Sequence, residues 1–150
     1  IEVDLEPLGL DLFAKSIINT WQAPENTEFV TNFESDAIAK IDREQLGKVL
    51  LNLMINASEA MEDGGRIEVS TAVNEKYALL SVYDNGCGMS QEFINKKLFR
   101  PFQTTKQRGL GIGMFQSKMI IDAHGGRFEV ESEEGKGSTF RVLLPIDKEG

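Results

Sequence analysis

The stretch KVLLNLMINASEAM, residues 48–61, constrains the fold more than any other part of the chain. It is built of helix formers, and Val49, Leu50, Leu51, Leu53, Met54, Ile55 and Ala57 spread apolar surface round nearly every face. A helix of that kind is expected inside a layered domain rather than on its surface. Asn52 and Asn56 interrupt it four residues apart, which stacks both amides on one face. Asn is a mediocre helix former. Each amide buried without a partner would cost about 1–3 kcal/mol. On the helix alone two uses are open. The amides tie down neighbouring loops, or their oxygens serve as hard, neutral ligands for a hydrated Mg²⁺ carrying polyphosphate.

The remaining pattern supplies a sheet for this helix to cover. PLGLDLFAKSIINTW (7–21) reads as a first helix with Leu8, Leu12, Ile17 and Trp21 towards one side. TEFVTNF (27–33) and RIEVSTAV (66–73) alternate as half-buried strands, and YALLSVYDNGCGM (77–89) is a more apolar strand entering a glycine turn. Asp42 is placed to cap the long helix, which runs to about Met61 and stops at EDGG, and Ser90 to cap a short one towards Leu98. The segment from Arg100 to Leu110 reads as irregular. GMFQSKMIIDAH is helical up to Gly125, and RFEVES and STFRVLLP close the chain as strands joined by EEGKG. The expectation is a two-layer α/β domain over residues 1–150, with a largely antiparallel sheet and helices on one face.

Charge narrows the partners. A net charge of −8 and a pI near 4.7 argue against nucleic acid or an anionic membrane as the main partner. Against that background Lys96, Lys97, Arg100, Lys106 and Arg108 lie within thirteen residues without an acid. A single cysteine, Cys87, excludes an internal disulfide and suits a reducing compartment. No apolar run reaches the roughly 18–20 residues of a membrane span. Beginning at Ile1 without Met, the chain reads as a piece of a longer protein, with any membrane anchor or sensor outside it.

Three glycine motifs follow the long helix. DNGCGM sets Asp84 at the mouth of a strand, where a carboxylate can accept from an exocyclic amine such as adenine's, and Gly86 and Gly88 allow close backbone approach. Asp-Asn-Gly is also ordinary turn chemistry. RGLGIGM carries Gly109, Gly111 and Gly113 straight into a helix, whose N-terminal N–H groups favour phosphate. The spacing is G-x-G-x-G with no strand before it, so the dinucleotide fingerprint fails. GKGST (135–139) has Gly137 where a P-loop needs its Ser or Thr, and it fails too. Between the motifs, LFRPFQTTKQRG suits a lid: Phe99 and Phe102 as anchors, with Thr104, Thr105, Lys106 and Arg108 facing phosphates.

In this order the five segments QLGKVLLNLMINASEAM, DNGCGM, LFRPFQTTK, GLGIGM and HGGRFEVESEEGKGSTFRVLLP resemble the N, G1, F and G2 boxes and the closing hairpin of the catalytic ATP-binding domain of bacterial sensor histidine kinases. VDLEPL resembles that family's entry into the domain, so the likeness covers essentially the whole chain. The resemblance implies a Bergerat-type fold, shared with type II topoisomerases and large heat-shock chaperones. It implies ATP and Mg²⁺ as cofactors, with Asn56 and Asn52 at metal and phosphate, and Asp84, Gly86 and Gly88 at adenine. The lid and its hinge, Phe102, Thr104, Thr105, Lys106, Gly109, Leu110, Gly111, Ile112 and Gly113, would enclose the phosphates, and Thr139 would lie near the adenine end. Asn52, Asn56 and Lys106 are then the catalytic candidates. Many members carry a basic residue where this chain has Glu59, a contact Lys106 or Lys118 would have to replace.

ATPases of the fold place a Glu four residues before the metal-binding Asn. Here that position is Asn52, and an amide is no general base near neutral pH. Phosphoryl transfer is therefore expected over hydrolysis. The family's acceptor is a His on separate upstream dimerisation helices, with a response regulator downstream. The one histidine here, His124, ends a helix and reads as structural. The resemblance implies a cytoplasmic domain without direct membrane contact, in a full-length protein that is membrane-anchored or soluble. The alternative is a non-transferring nucleotide switch of the same fold, a degenerate kinase or an anti-sigma-type regulator.

Overall fold

The computed structural model describes residues 1–101 and 111–148, the side chain of Ile112 excepted. In chain order the elements are β1 (Glu6–Gly9), α1 (Leu10–Ile18), β2 (Thr27–Phe33), β3 (Ile38–Ile41), α2 (Arg43–Glu59), β4 (Gly65–Val73), β5 (Tyr77–Asp84), α3 (Gln91–Lys96), α4 (Gly111–Ala123), β6 (Arg127–Glu133) and β7 (Gly137–Pro145). Five strands form one sheet in the order β2-β4-β5-β7-β6. β2 and β4 run parallel, because α2 lies in the crossover between them, and the other pairs are antiparallel. β1 and β3 make a separate antiparallel pair.

Alternation decides the faces. Ile67 and Val69 of β4, Leu80 and Val82 of β5, and Val142 and Leu144 of β7 are buried against the helices. Their neighbours Glu68, Ser81 and Arg141 face the other way. The result is the expected mixed, mostly antiparallel sheet with its helices on one face. Among the described residues no helix is long and apolar enough to cross a membrane.

Caps behave as their chemistry dictates. The Asp42 side chain accepts from the Gln45 N–H at 3.0 Å and the Ser90 hydroxyl from the Phe93 N–H at 3.0 Å. α2 buries Leu46, Val49, Leu50, Leu53, Met54 and Ala57. It is not enclosed all round, however. Lys48 and Ile55 are exposed, and Asn52 and Asn56 lie half-buried at the margin of the apolar face.

The N-terminal helix is shorter than its sequence suggests. Residues 6–9 pair with β3, and α1 starts only at Leu10. Its buried face is Leu10, Phe13 and Ala14, with Ile17 partly buried behind them, while Leu12 is 74% exposed. Pro7 is compatible with either start; pairing with Ile38–Ile41, which shows no periodicity of its own, decides it.

Candidate functional site

The two asparagines meet α4. Met114 and Ser117 are buried on α4, three residues apart and thus on one face. The Asn56 amide nitrogen donates to the Met114 sulfur at 3.2 Å. The Asn52 amide nitrogen lies 3.6 Å from the same sulfur and donates to the Ser117 hydroxyl at 3.3 Å. Gly113 permits this approach, since a Cβ there would stand 2.5 Å from Asn52 Oδ1. The helix that follows the glycine run therefore docks on the asparagine stripe.

The end of α2 connects the stripe to Asp84. The Ala60 N–H donates to the Asn56 carbonyl, and the Ala60 carbonyl accepts from the Cys87 N–H at 3.0 Å. Asp84 ends β5, 3% exposed, and its Oδ1 accepts from the Gly86 N–H at 2.9 Å. Two glycines in this turn answer to protein contacts. A Cβ at Gly86 would stand 2.5 Å from the Ala60 carbonyl oxygen, and one at Gly88, whose φ is +70°, would strike the Glu133 carbonyl. The β6–β7 hairpin holds the turn from the other side. The Gly135 N–H donates to the Cys87 carbonyl at 2.7 Å, and the Met89 N–H donates to the Ser132 hydroxyl at 2.8 Å.

Strand parity separates two neighbours that the sequence places together. Ser138 stands opposite Asp84 in the β5–β7 ladder and is buried on the helix side. Thr139 stands opposite Tyr83 and shares its outward face, so the structure does not bring Thr139 together with Asp84. Ser138, Met114 and Ser117 were not singled out from sequence. Ser138 was findable from the alternation it shares with Phe140, Val142 and Leu144; the α4 pair had no comparable signal.

A cleft of about 660 Å³ opens beside the Asp84 turn, lined among others by Glu59, Glu62, Asp63, Gly88 and Glu134. Glu62, Asp63 and Glu134 make this lining acidic, an unfavourable setting for a polyphosphate. Lys118, a possible stand-in at Glu59, instead pairs with Asp122 at 3.2 Å along the exposed side of α4. Phe102, Thr104, Thr105, Lys106, Gly109 and Leu110 lie outside the described residues, as does the side chain of Ile112, while Gly111 is the first residue of α4. His124 is buried. Its Nε2 accepts from the Asp42 N–H at 3.0 Å, so Nδ1 carries the proton towards the Ile120 carbonyl 2.8 Å away. That bond ties the end of α4 to the cap of α2.

Among the described residues no group of three His, Cys, Asp or Glu could hold a metal ion. The amide oxygens of Asn52 and Asn56, one helical turn apart on α2, are hard and neutral and in kind fit Mg²⁺.

Comparison with known proteins identifies the family. The family described as histidine kinase-, DNA gyrase B- and HSP90-like ATPase matches residues 41–148. The chain belongs to this family, and its likeness within it is to the catalytic ATP-binding domains of histidine kinases. It is 46% identical over 103 residues to sporulation kinase E of Bacillus subtilis, covering 68% of this chain and 14% of that protein. It is 37% identical over 136 residues to the signal transduction histidine-protein kinase AtoS of Escherichia coli, covering 89% of this chain and 22% of that protein. The chain thus spans less than a quarter of either relative. The solved catalytic domain of the histidine kinase ThkA superimposes with a TM-score of 0.80 at 28% identity, covering 95% of this chain and 96% of that one. The fold is of the Bergerat type.

Proposed function

We propose that this chain binds Mg-ATP and donates its γ-phosphoryl group to a histidine on a separate helical dimerisation domain, within two-component signalling in the cytoplasm. One observation carries the reading. The asparagine stripe of α2 faces the helix that emerges from G-x-G-x-G, and its far end is tied to the Asp84 turn. In this arrangement Asp84 accepts from the adenine amino group, with Ser138 opposite it on the same side. Asn52 and Asn56 would hold Mg²⁺, which when bound neutralises charge on the phosphates. Asn52 takes no proton from water, so the phosphoryl group is kept for a protein acceptor rather than lost to hydrolysis. His124, engaged at both ring nitrogens, is not that acceptor.

A second reading draws on Glu59 and the acidic cleft, which weaken phosphate capture and suit a nucleotide-sensing switch without transfer. Mixing the chain with the upstream helices of its parent protein, ATP and Mg²⁺ separates the two. Acid-labile, base-stable phosphate on those helices is the expected result; nucleotide binding without such phosphate would overturn transfer and favour the switch.

A further inference from the structure

We propose that Met114 is a positioning residue for the metal site: its thioether selects which end of each asparagine amide is offered to the cation. The inference rests on the reading of Asn52 and Asn56 as metal ligands. An amide side chain fits its surroundings in two orientations related by a flip, and only the hydrogen-bond network distinguishes them. A thioether sulfur accepts hydrogen bonds and never donates. Met114 is 2% exposed, and its sulfur lies 3.2 Å from the Asn56 amide nitrogen and 3.6 Å from that of Asn52. A flip of Asn56 would press a carbonyl oxygen against the sulfur, acceptor against acceptor. The sulfur therefore takes the nitrogen and turns the oxygen, the atom a hard cation needs, to the opposite end of the amide.

Ser117 cannot make this selection alone. Its hydroxyl donates as readily as it accepts, so it would satisfy Asn52 in either orientation. A leucine at 114 would fill similar volume but offer the amide nitrogens no acceptor, removing this preference.

The test uses the 150-residue chain and reads ATP binding by calorimetry across a Mg²⁺ titration and, separately, in EDTA. Partners that orient metal ligands are worth about 10–100-fold in metal affinity. Met114→Leu is expected to raise the Mg²⁺ concentration for half-maximal enhancement about tenfold, with ATP affinity in EDTA unchanged. An unchanged Mg²⁺ midpoint, or an equal loss with and without metal, would overturn the positioning role. Asn56→Ala separates the two layers. If it keeps the natural Mg²⁺ response, the metal reading itself fails; if it loses the response while Met114→Leu keeps it, only the role of Met114 fails. A measurement on the unsubstituted, metal-free protein guards against misfolding. The Asn56 side-chain amide protons should exchange at least tenfold more slowly than those of the exposed Asn19 and Asn26, and equal rates would overturn the contact.

Discussion

Replacing Gly113 by alanine sets two effects of known sign against each other. A Cβ at this position would stand 2.5 Å from Asn52 Oδ1 and 2.9 Å from both Cγ and Nδ2. Ordinary carbon–oxygen contacts lie near 3.3–3.6 Å, so the amide must move by close to ~1 Å. Rotating it away forfeits the bond to Ser117 and the contact with the Met114 sulfur, together about 1–2 kcal/mol. Alanine returns about 0.5–1 kcal/mol over glycine in a helix. Net destabilisation should therefore be small, about 0–1.5 kcal/mol, a shift in Tm of a few degrees for a chain of this size. With Asn52→Ala already present the obstruction is gone, and Gly113→Ala should then stabilise by about 0.5–1 kcal/mol. The sign reversal is the diagnostic feature. Urea unfolding of the four proteins in the cycle measures it, with a coupling of about 1–2 kcal/mol expected. Additive effects within ~0.3 kcal/mol would refute the claim that Gly113 is needed for contact with Asn52. Mg-ATP binding adds a second check: Gly113→Ala should weaken it more than stability alone explains.

Three further outcomes are expected. Asp84→Ala should erode the preference for adenine over guanine nucleotides by about tenfold or more, since it removes the acceptor for an exocyclic amine; equal loss for both bases in a competition assay would count against that role. The Asp42 carboxyl is held below the ordinary aspartate value of 3.8, chiefly because the Asp4 backbone N–H donates to it and the Gln45 N–H adds to this against desolvation. A lowered folded value means that this stabilisation is complete above pH 3.8 and is lost as pH falls through the lower folded value. The stability gap between the natural chain and Asp42→Asn should accordingly close in acid, and a constant gap from pH 7 to pH 3 would contradict it. His124→Phe keeps the ring volume but leaves the Asp42 N–H without its acceptor, a cost of about 1–3 kcal/mol. A Tm within 1 °C of the natural chain would show that the ring nitrogen contributes nothing.

Much of this domain can be read from local pattern, because caps and periodicities act within a few residues. Asp42, Ser90 and Gly125 stop or start their helices where side-chain chemistry requires, and the strands 27–33, 66–73 and 77–84 follow from alternation. The stacking of Asn52 over Asn56 follows from a spacing of four. β1 and β3 escape such reading. Each has four residues, too few to establish a period, and each exists only because the other lies beside it. That pairing also delays α1 to Leu10 and turns Leu12 outward.

The division at the site has the same origin. Sequence by itself determined that two carboxamides share one helical face, that a carboxylate ends an apolar strand, and that a glycine run opens the next long helix, since each depends on neighbours along the chain. Tertiary structure decided what those groups touch. The partners of Asn52 and Asn56 lie 58–65 residues away, and parity in the β5–β7 ladder, where one residue reverses the face, put Ser138 rather than Thr139 beside Asp84. Contacts between distant segments depend on how the layers pack, and no local rule encodes the register of that packing.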